Sequence, residues 1–162
     1  MKIRSANASD APEIATIWNP VVRDTAVTFN SVEKTPSEIA ELINVRQSAG
    51  HAFLVAESDA QILGFSSYSQ FRAGVGYAKT MEHTVIVAPQ AKGKGIGRFL
   101  MVAVEDHARA NGAHTMFAGV SGENTAGIDF HKALGYVQVA VLPEVGYKFG
   151  RWMNLHLMQK EL

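Results

Sequence analysis

The residues with the clearest capacity for chemistry are the glycines and cations of residues 92–98, Lys-Gly-Lys-Gly-Ile-Gly-Arg. Glycine at alternate positions leaves the backbone unshielded, so several N–H groups can turn toward one anion. An apolar run typical of a β-strand precedes this loop, and an apolar run typical of a helix follows it. A helix N-terminus adds roughly half a positive charge. This order of elements predicts a phosphate-binding loop.

The spacing of the glycines argues against two common nucleotide-binding loops. A P-loop requires G-x-x-x-x-G-K-[ST], which neither Gly93 nor Gly95 begins. A dinucleotide-binding loop requires G-x-G-x-x-G, whereas Gly93, Gly95 and Gly97 are spaced G-x-G-x-G. A generic nucleotide-binding module is therefore disfavoured. By itself, the loop leaves open a turn that only caps the following helix.

The elements that must position this loop are predicted from hydrophobic periodicity, capping residues and turns. The predicted strands are residues 3–4, 52–56, 62–69, 81–88, 115–120, 136–142 and 152–158. The first predicted helix begins after Ser9 or Asp10 and is interrupted at Asn19-Pro20. The others are residues 36–49, the run from the glycine loop to residues 111–112, and 124–134. The order β-α-α-β-β-β-α-β-α-β-β predicts a mixed α/β fold with helices covering a central sheet.

The composition narrows the class of protein. A length of 162 residues with 47% hydrophobic and 19% charged residues predicts a single globular domain, residues 1–162. Fifteen basic and fifteen acidic residues cancel, so no nucleic-acid partner is expected. We expect no membrane partner and a cytoplasmic protein, because neither a signal peptide nor a long apolar run is present. The chain has no cysteine, which excludes a cysteine nucleophile and thiolate metal sites.

Several separated motifs resemble the GNAT N-acetyltransferase superfamily. Lys92, Gly95 and Gly97 occupy the fixed positions of its acyl-CoA loop, [RQ]-x-x-G-x-[GA]. Asn124 followed by Phe-His-Lys-Ala-Leu-Gly-Tyr at residues 130–136 resembles its second motif. Residues 71–72, 82–87 and 145–152 are similar to the branch of phosphinothricin, methionine sulfone and methionine sulfoximine acetyltransferases. The resemblance covers nearly the whole chain. It implies the GNAT fold, a mostly antiparallel sheet splayed at the site for acetyl-CoA with helices on both faces.

The resemblance also implies the residues that hold acetyl-CoA. The strand of Val85, Ile86 and Val87 would pair with the pantetheine amides and give a backbone N–H to the thioester oxygen. The pyrophosphate would lie on the loop, and the pantetheine on Asn124, which otherwise serves as a helix N-cap. The predicted cofactor-binding set is Val85, Ile86, Val87, Lys92, Gly93, Lys94, Gly95, Ile96, Gly97, Arg98 and Asn124.

Two residues are candidates for proton transfer. Glu82 would be the general base for the incoming ammonium, directly or through a water, since only the free amine is nucleophilic. His131 stands where many family members have a tyrosine acid and would protonate the departing thiolate. A solvated glutamate and a surface or capping histidine are the alternatives. His83 is interpreted as structural, or as acting at most through another residue. No histidine has the spacing of a metal site, so no metal is expected.

The predicted acceptor-binding residues are Phe29, Arg72, Glu82 and Thr84. The Arg72 guanidinium suits an acceptor carboxylate or phosphinate, and Phe29 would be an apolar wall, with core packing as its alternative. The predicted activity is direct acetyl transfer from acetyl-CoA to the amino group of a small amino-acid-like acceptor. Acetylation of a protein N-terminus or polyamine, and a CoA-binding sensor without turnover, remain alternatives. The resemblance also implies a homodimer, with residues 147–152 at its interface or over the active site.

Overall fold

One sheet of seven strands organises the chain, and the computed structural model describes all 162 residues. The spatial order is β1-β2-β3-β4-β5-β7-β6, and only β4 and β5 are parallel neighbours. The strands are β1 Lys2–Ser5, β2 Phe53–Ser58, β3 Gln61–Gln70, β4 Thr80–Val87, β5 Thr115–Ser121, β6 Val137–Lys148 and β7 Arg151–Glu161.

Four α-helices connect the strands, α1 Ala11–Asp24, α2 Pro36–Ser48, α3 Ile96–Ala110 and α4 Thr125–Ala133. Local chemistry sets where they begin. Thr35 and Glu38 form a reciprocal capping box ahead of α2, and the Asn124 side chain caps α4. The predicted order of elements is confirmed. None of the helices combines the length and apolarity needed to cross a bilayer.

The helices cover both faces of the sheet, as predicted. Phe65 of β3 packs on Trp18 of α1 with ring centroids 4.8 Å apart. Its neighbour Ser66 donates its hydroxyl to the Leu100 carbonyl of α3 at 3.2 Å. Because consecutive strand residues point to opposite faces, α1 and α3 lie on opposite sides of β3.

The feature that creates the site is the separation of β4 from β5. Their parallel pairing joins only residues 80–82 with residues 115–117. Beyond Glu82, β4 stays paired with β3 as far as Val87, and β5 stays paired with β7 as far as Ser121. The facing edges of β4 and β5 therefore carry backbone groups with no strand partner. This is the splay that the resemblance implied.

Three elements, one helix and two strands, extend clearly beyond their predicted ends. Helix α1 continues through Pro20 to Asp24 instead of stopping at Asn19. The hydrogen bond that Pro20 cannot make would have gone to the carbonyl of Thr16, an exposed residue whose carbonyl water can reach.

Strands β6 and β7 are longer than predicted and meet in a tight turn at Phe149 and Gly150, both with positive φ. Register shifts between Gln138 and Ala140 and between Leu142 and Gly146 let β6 continue through Pro143. Such bulges interrupt the hydrophobic alternation from which a strand is recognised.

Candidate active site

Two connected hollows lie where β4 and β5 separate. The carboxylate cavity, about 350 Å³, contains Glu82 and extends to loop residues 27–30. The glycine groove, about 570 Å³, runs along the glycine loop and α4. Both are lined by Val21, Val27, Val85, Ile86, Asn124 and His131. The shared wall means that molecules in the two hollows can meet at β4.

The glycine groove presents unpaired backbone donors. Gly95 adopts the left-handed conformation, φ +77°, immediately before α3. The six backbone N–H groups from Gly93 to Arg98 donate to no backbone carbonyl, and the first intrahelical bond into α3 comes from Phe99 to Gly95 at 3.1 Å. Unpaired N–H groups at a helix N-terminus, beside Lys92 and Arg98, form a site that suits a diphosphate.

The Glu82 carboxylate stands in the carboxylate cavity with no hydrogen-bond donor from the protein, and burial raises its pKa above the ordinary range. It lies directly over β5, where a Cβ on Gly119 would be 3.0 Å from Glu82 Oε1. The bare backbone of Gly119 therefore makes room for this carboxylate. The surrounding apolar side chains are Trp18, Val21, Val27, Phe29 and Leu155. Such a carboxylate is a strong proton acceptor near neutral pH.

A pair of histidines forms another part of the cavity wall. His131 Nδ1 lies 2.7 Å from the Gly127 carbonyl oxygen, so Nδ1 carries the proton and donates it. His131 Nε2 lies 3.2 Å from His83 Nε2, which must then be the donor of that hydrogen bond. His83 Nδ1, buried without a partner, is left as the lone-pair nitrogen. Burial lowers the pKa of His131 and lowers that of His83 to about 3, so both rings are neutral at pH 7.

The family is shown by comparison with known proteins. The model of the acetyltransferase (GNAT) domain matches residues 3–157. The chain belongs to the GNAT acetyltransferases. The L-amino acid N-acyltransferase MnaT of Escherichia coli is 38% identical, and the match covers 100% of this chain and 94% of that protein. The L-methionine sulfoximine/L-methionine sulfone acetyltransferase of Salmonella typhimurium is also 38% identical, over 100% and 95%.

Two further relatives define the branch and the fold. A phosphinothricin N-acetyltransferase of Alcaligenes faecalis is 34% identical over 99% of this chain and 82% of its own. The crystal structure of yncA, an acetyltransferase of Salmonella typhimurium with its cofactor acetyl-CoA, superposes with a TM-score of 0.96. It is 38% identical, with 100% of this chain and 94% of that chain covered. The predicted family, branch resemblance and fold are confirmed.

Most of the predicted site residues of this GNAT acetyltransferase come together. Glu82, Thr84, Phe29 and His131 line the carboxylate cavity. The glycine groove is lined by the predicted residues Val85, Ile86, Val87, Lys92, Gly93, Gly95, Ile96, Gly97, Arg98 and Asn124. The Asn124 side chain also accepts a hydrogen bond from the Gly127 N–H at 2.9 Å, so its capping role is realised in addition to its place in the wall.

Two predicted residues lie outside both hollows. Lys94 is exposed beside the groove without lining it. Arg72 is exposed on the connection between β3 and β4, where its guanidinium lies over the Tyr77 ring at 5.8 Å. The β3–β4 connection turns this arginine away from the acceptor position that its chemistry suggested. As the chain stands in this structure, Arg72 does not contribute to the cavity.

The sequence interpretation missed several wall residues of the acetyltransferase. Trp18, Val21 and Asn30 come from α1 and the loop after it, and Ser121 and Leu155 come from β5 and β7. Ala126, Gly127, Phe130, Ala133 and Leu134 of α4 complete the groove. Apolar residues of this kind have the same pattern whether they fill a core or line a cavity. The contact of His83 with His131 was also missed, since 48 positions separate them.

Proposed function

We propose that this chain, as one GNAT domain, transfers the acetyl group of acetyl-CoA to the primary amine of a small amino-acid-like acceptor. The observation that carries the proposal is the buried Glu82 carboxylate in a cavity that shares β4 with the glycine groove. One hollow suits a small amine and the other suits a diphosphate-bearing thioester. Their common wall is where the two would react.

The donor is proposed to occupy the glycine groove. Its pyrophosphate would accept hydrogen bonds from the backbone N–H groups of residues 93–98, and its pantetheine would follow the open edge of β4 at Val85, Ile86 and Val87. A backbone N–H of that edge would donate to the thioester oxygen as negative charge develops there. Asn124, at the junction of the hollows, would contact the pantetheine.

The acceptor amine is proposed to lose its proton to Glu82, directly or through a water. Because burial raises the pKa of Glu82, its carboxylate is a better base than that of an exposed glutamate. The free amine then attacks the thioester carbonyl directly within a ternary complex. The C–N bond forms, the C–S bond breaks and the sulfur departs as a thiolate.

His131 remains our proposed residue nearest to the leaving thiolate, but its hydrogen bonds favour an indirect role. An acid needs a proton to give, and the only proton of neutral His131 is donated to the Gly127 carbonyl. Its Nε2 accepts from His83. We therefore propose that the pair shapes this wall, and that a water or the acetylated ammonium supplies the proton to sulfur.

The acceptor class follows from the size and walls of the carboxylate cavity. A volume of about 350 Å³ whose walls include Trp18, Phe29 and Leu155 suits a short acceptor with an apolar side chain. The names of the relatives, which include methionine sulfoximine, methionine sulfone, phosphinothricin and L-amino acids, agree with that class. A polyamine would need further acidic walls, and Glu82 is the only carboxylate that lines the cavity. We retain Arg72 as a candidate for the acceptor's acidic group that would have to move to reach it.

We also propose a cytoplasmic homodimer. Strand β6 is an edge of the sheet and exposes Val137, Val139, Val141, Leu142 and Val145. Long apolar edge strands are normally covered, and a second copy of β6 would cover this one. Sedimentation at several concentrations tests the homodimer, with Val141→Lys expected to favour the monomer.

The proposed cytoplasmic location agrees with the absence of cysteine from the chain, which suits a reducing compartment.

The test of function is release of CoA thiol from acetyl-CoA against a panel of amines: phosphinothricin, methionine sulfone, methionine sulfoximine, the common amino acids, spermidine and a short peptide. A thiol reagent reports only CoA, because the protein has no cysteine. We expect turnover confined to the amino-acid-like acceptors and strongly reduced, by a factor on the order of 10²–10⁴, in Glu82→Gln. Turnover only with spermidine or peptide would overturn the acceptor class. Acetyl-CoA binding without turnover on any amine would favour the sensor.

A further inference from the structure

We propose that Lys148 and Gly146, two residues of β6 that line neither hollow, are positioning residues that hold the acceptor wall in place and so set acceptor selectivity. The inference rests on the proposed function, because it concerns the carboxylate cavity as the acceptor site. The wall in question is formed by Val27, Thr28, Phe29 and Asn30. These residues belong to the connection between α1 and α2, residues 25–34, called here the wall loop.

The wall loop has little structure of its own. No backbone–backbone hydrogen bond involves any of residues 25–34. Inside the loop, Val27, Asn30 and Val32 donate their N–H groups only to side-chain oxygens two residues earlier. At its far end, the Asn19 side chain pairs with both the N–H and the carbonyl of Lys34 at 2.9 Å. A segment held this way takes its conformation from contacts with other elements.

Lys148 supplies one such contact. Its Nζ donates to the carbonyl oxygens of Val22, Thr25 and Thr28, at 2.6, 2.6 and 2.9 Å. These three acceptors use all three ammonium protons. The residue is 4% exposed and forms no salt bridge. Its charge is therefore committed to carbonyls at the end of α1, where the helix dipole favours a cation, and in the wall loop.

Gly146 supplies the second contact, two residues away on the same strand. A Cβ at this position would lie 2.4 Å from the ring of Phe29. That distance is far inside van der Waals contact, so the ring lies directly against bare backbone. Because residues at i and i+2 share a face of a strand, Gly146 and Lys148 hold the loop from one side of β6. The glycine admits the Phe29 ring, and the lysine fixes three carbonyls in the segment that leads up to it.

The residues of the wall loop and those of β6 therefore have different roles at the acceptor site. Phe29 and its neighbours contact the acceptor, whereas Lys148 and Gly146 determine where those neighbours stand. Displacing a positioning group by ~1 Å commonly costs on the order of a hundredfold in rate. Relaxing the wall loop should therefore raise the KM of the acceptor and weaken discrimination by side-chain length. The diphosphate end of the glycine groove, formed by β4 and α3, should keep its affinity for acetyl-CoA.

The experiment compares Lys148→Met and Gly146→Ala with wild type and with Lys2→Met, an exposed lysine on β1 at the opposite edge of the sheet. Lys148→Met keeps the length and loses the three donors. Steady-state kinetics with methionine sulfoximine and with longer and shorter amino acids give KM and kcat for each acceptor. Calorimetry gives the affinity for acetyl-CoA, and thermal melting confirms folding.

We expect both variants to raise acceptor KM about tenfold or more and to flatten the preference among chain lengths, with a smaller change in kcat and in acetyl-CoA affinity. Lys2→Met should match wild type. A folded variant with wild-type acceptor KM and selectivity overturns the inference. If Lys148→Met does not fold, Gly146→Ala decides, because its clash is with a loop side chain. Wild-type protein that acetylates no amino-acid acceptor instead refutes the proposed function, before any variant is compared.

Discussion

The two hollows of the candidate active site are built in different ways. The backbone donors of the glycine groove come from one nearly continuous stretch of β4, the loop of residues 88–95 and the first turn of α3, and α4 forms the opposite wall. The carboxylate cavity gathers side chains from α1, the wall loop, β4, β5, α4 and β7. The part that would hold a constant donor is thus local and made of peptide groups. The part that would choose an acceptor is assembled from distant segments.

This difference has a physical consequence for mutation. A site made of backbone N–H groups tolerates side-chain changes, because those donors do not depend on the residue type. It is sensitive to changes in φ, in ψ and in steric access. A side-chain site depends on each group being held by others, as Gly119 makes room for Glu82 and Lys148 holds the wall loop.

Glu82→Gln should lower kcat by a factor on the order of 10²–10⁴, the usual contribution of a positioned general base. Acetyl-CoA affinity should not change, because the diphosphate end of the groove does not involve this carboxylate. Since burial raises the pKa of Glu82, the acidic limb of kcat/KM should lie above the ordinary glutamate value of roughly 4.3 and disappear in the variant. Wild-type kcat in Glu82→Gln at every pH would remove Glu82 as the base.

Gly95→Ala should weaken acetyl-CoA binding through the backbone alone. Its φ of +77° costs an L-residue roughly 1–2 kcal/mol, and relief of that strain would turn the N–H groups of the loop away. Gly112→Ala is the matched control, with φ +81° at the far end of α3. Both variants should lose similar stability in thermal melts, and only Gly95→Ala should lose affinity in calorimetry. Equal affinity in the two variants would mean that the loop merely caps the helix.

His131→Gln should lower kcat only about tenfold, less than a required general acid would, for which on the order of 10²–10⁴ is typical. The physical reason is that the single ring proton of neutral His131 is already donated to Gly127. Pre-steady-state measurement of the chemical step is the decisive assay, because slow product release can hide the effect. A loss as large as that of Glu82→Gln would restore the acid role predicted from sequence.

We expect the buried Glu82 carboxylate to lower the free energy of unfolding near neutral pH. This is the smallest of the four expected effects. The folded-state pKa of Glu82 is raised, so the stabilisation linked to the protonated form is present below the unfolded pKa and lost as pH rises through the folded pKa. Glu82→Gln should therefore melt higher than wild type at about pH 7, with the difference shrinking toward about pH 4. Melting curves across that range measure it. A difference that does not vary with pH would contradict the buried ionisation.

Sequence reasoning predicted the order of elements, the splayed strand and the side of the groove formed by β4 and the glycine loop, whereas it missed most of the side formed by α4. The glycine loop could be predicted because Gly93, Gly95 and Gly97 lie close together in the sequence and act directly on the backbone conformation. Sequence reasoning placed Arg72 in the acceptor site on chemical grounds, and the structure puts that side chain over Tyr77 outside the cavity. The residue type determines which chemical groups a side chain can bind. The conformation of the loop determines whether that side chain lies in the cavity.

The sequence by itself determined the family and supplied the proposed acyl-CoA loop and the candidate base, since each depends on residue types at short spacing. Only the tertiary structure decided that His83 donates to His131, that Gly119 lies beneath Glu82, and that Lys148 closes on three carbonyls more than a hundred positions earlier. Those contacts join segments whose separation along the chain carries no periodic signal. They exist because the folded chain places β4 against β5 and α4, and places β6 against the end of α1 and the wall loop.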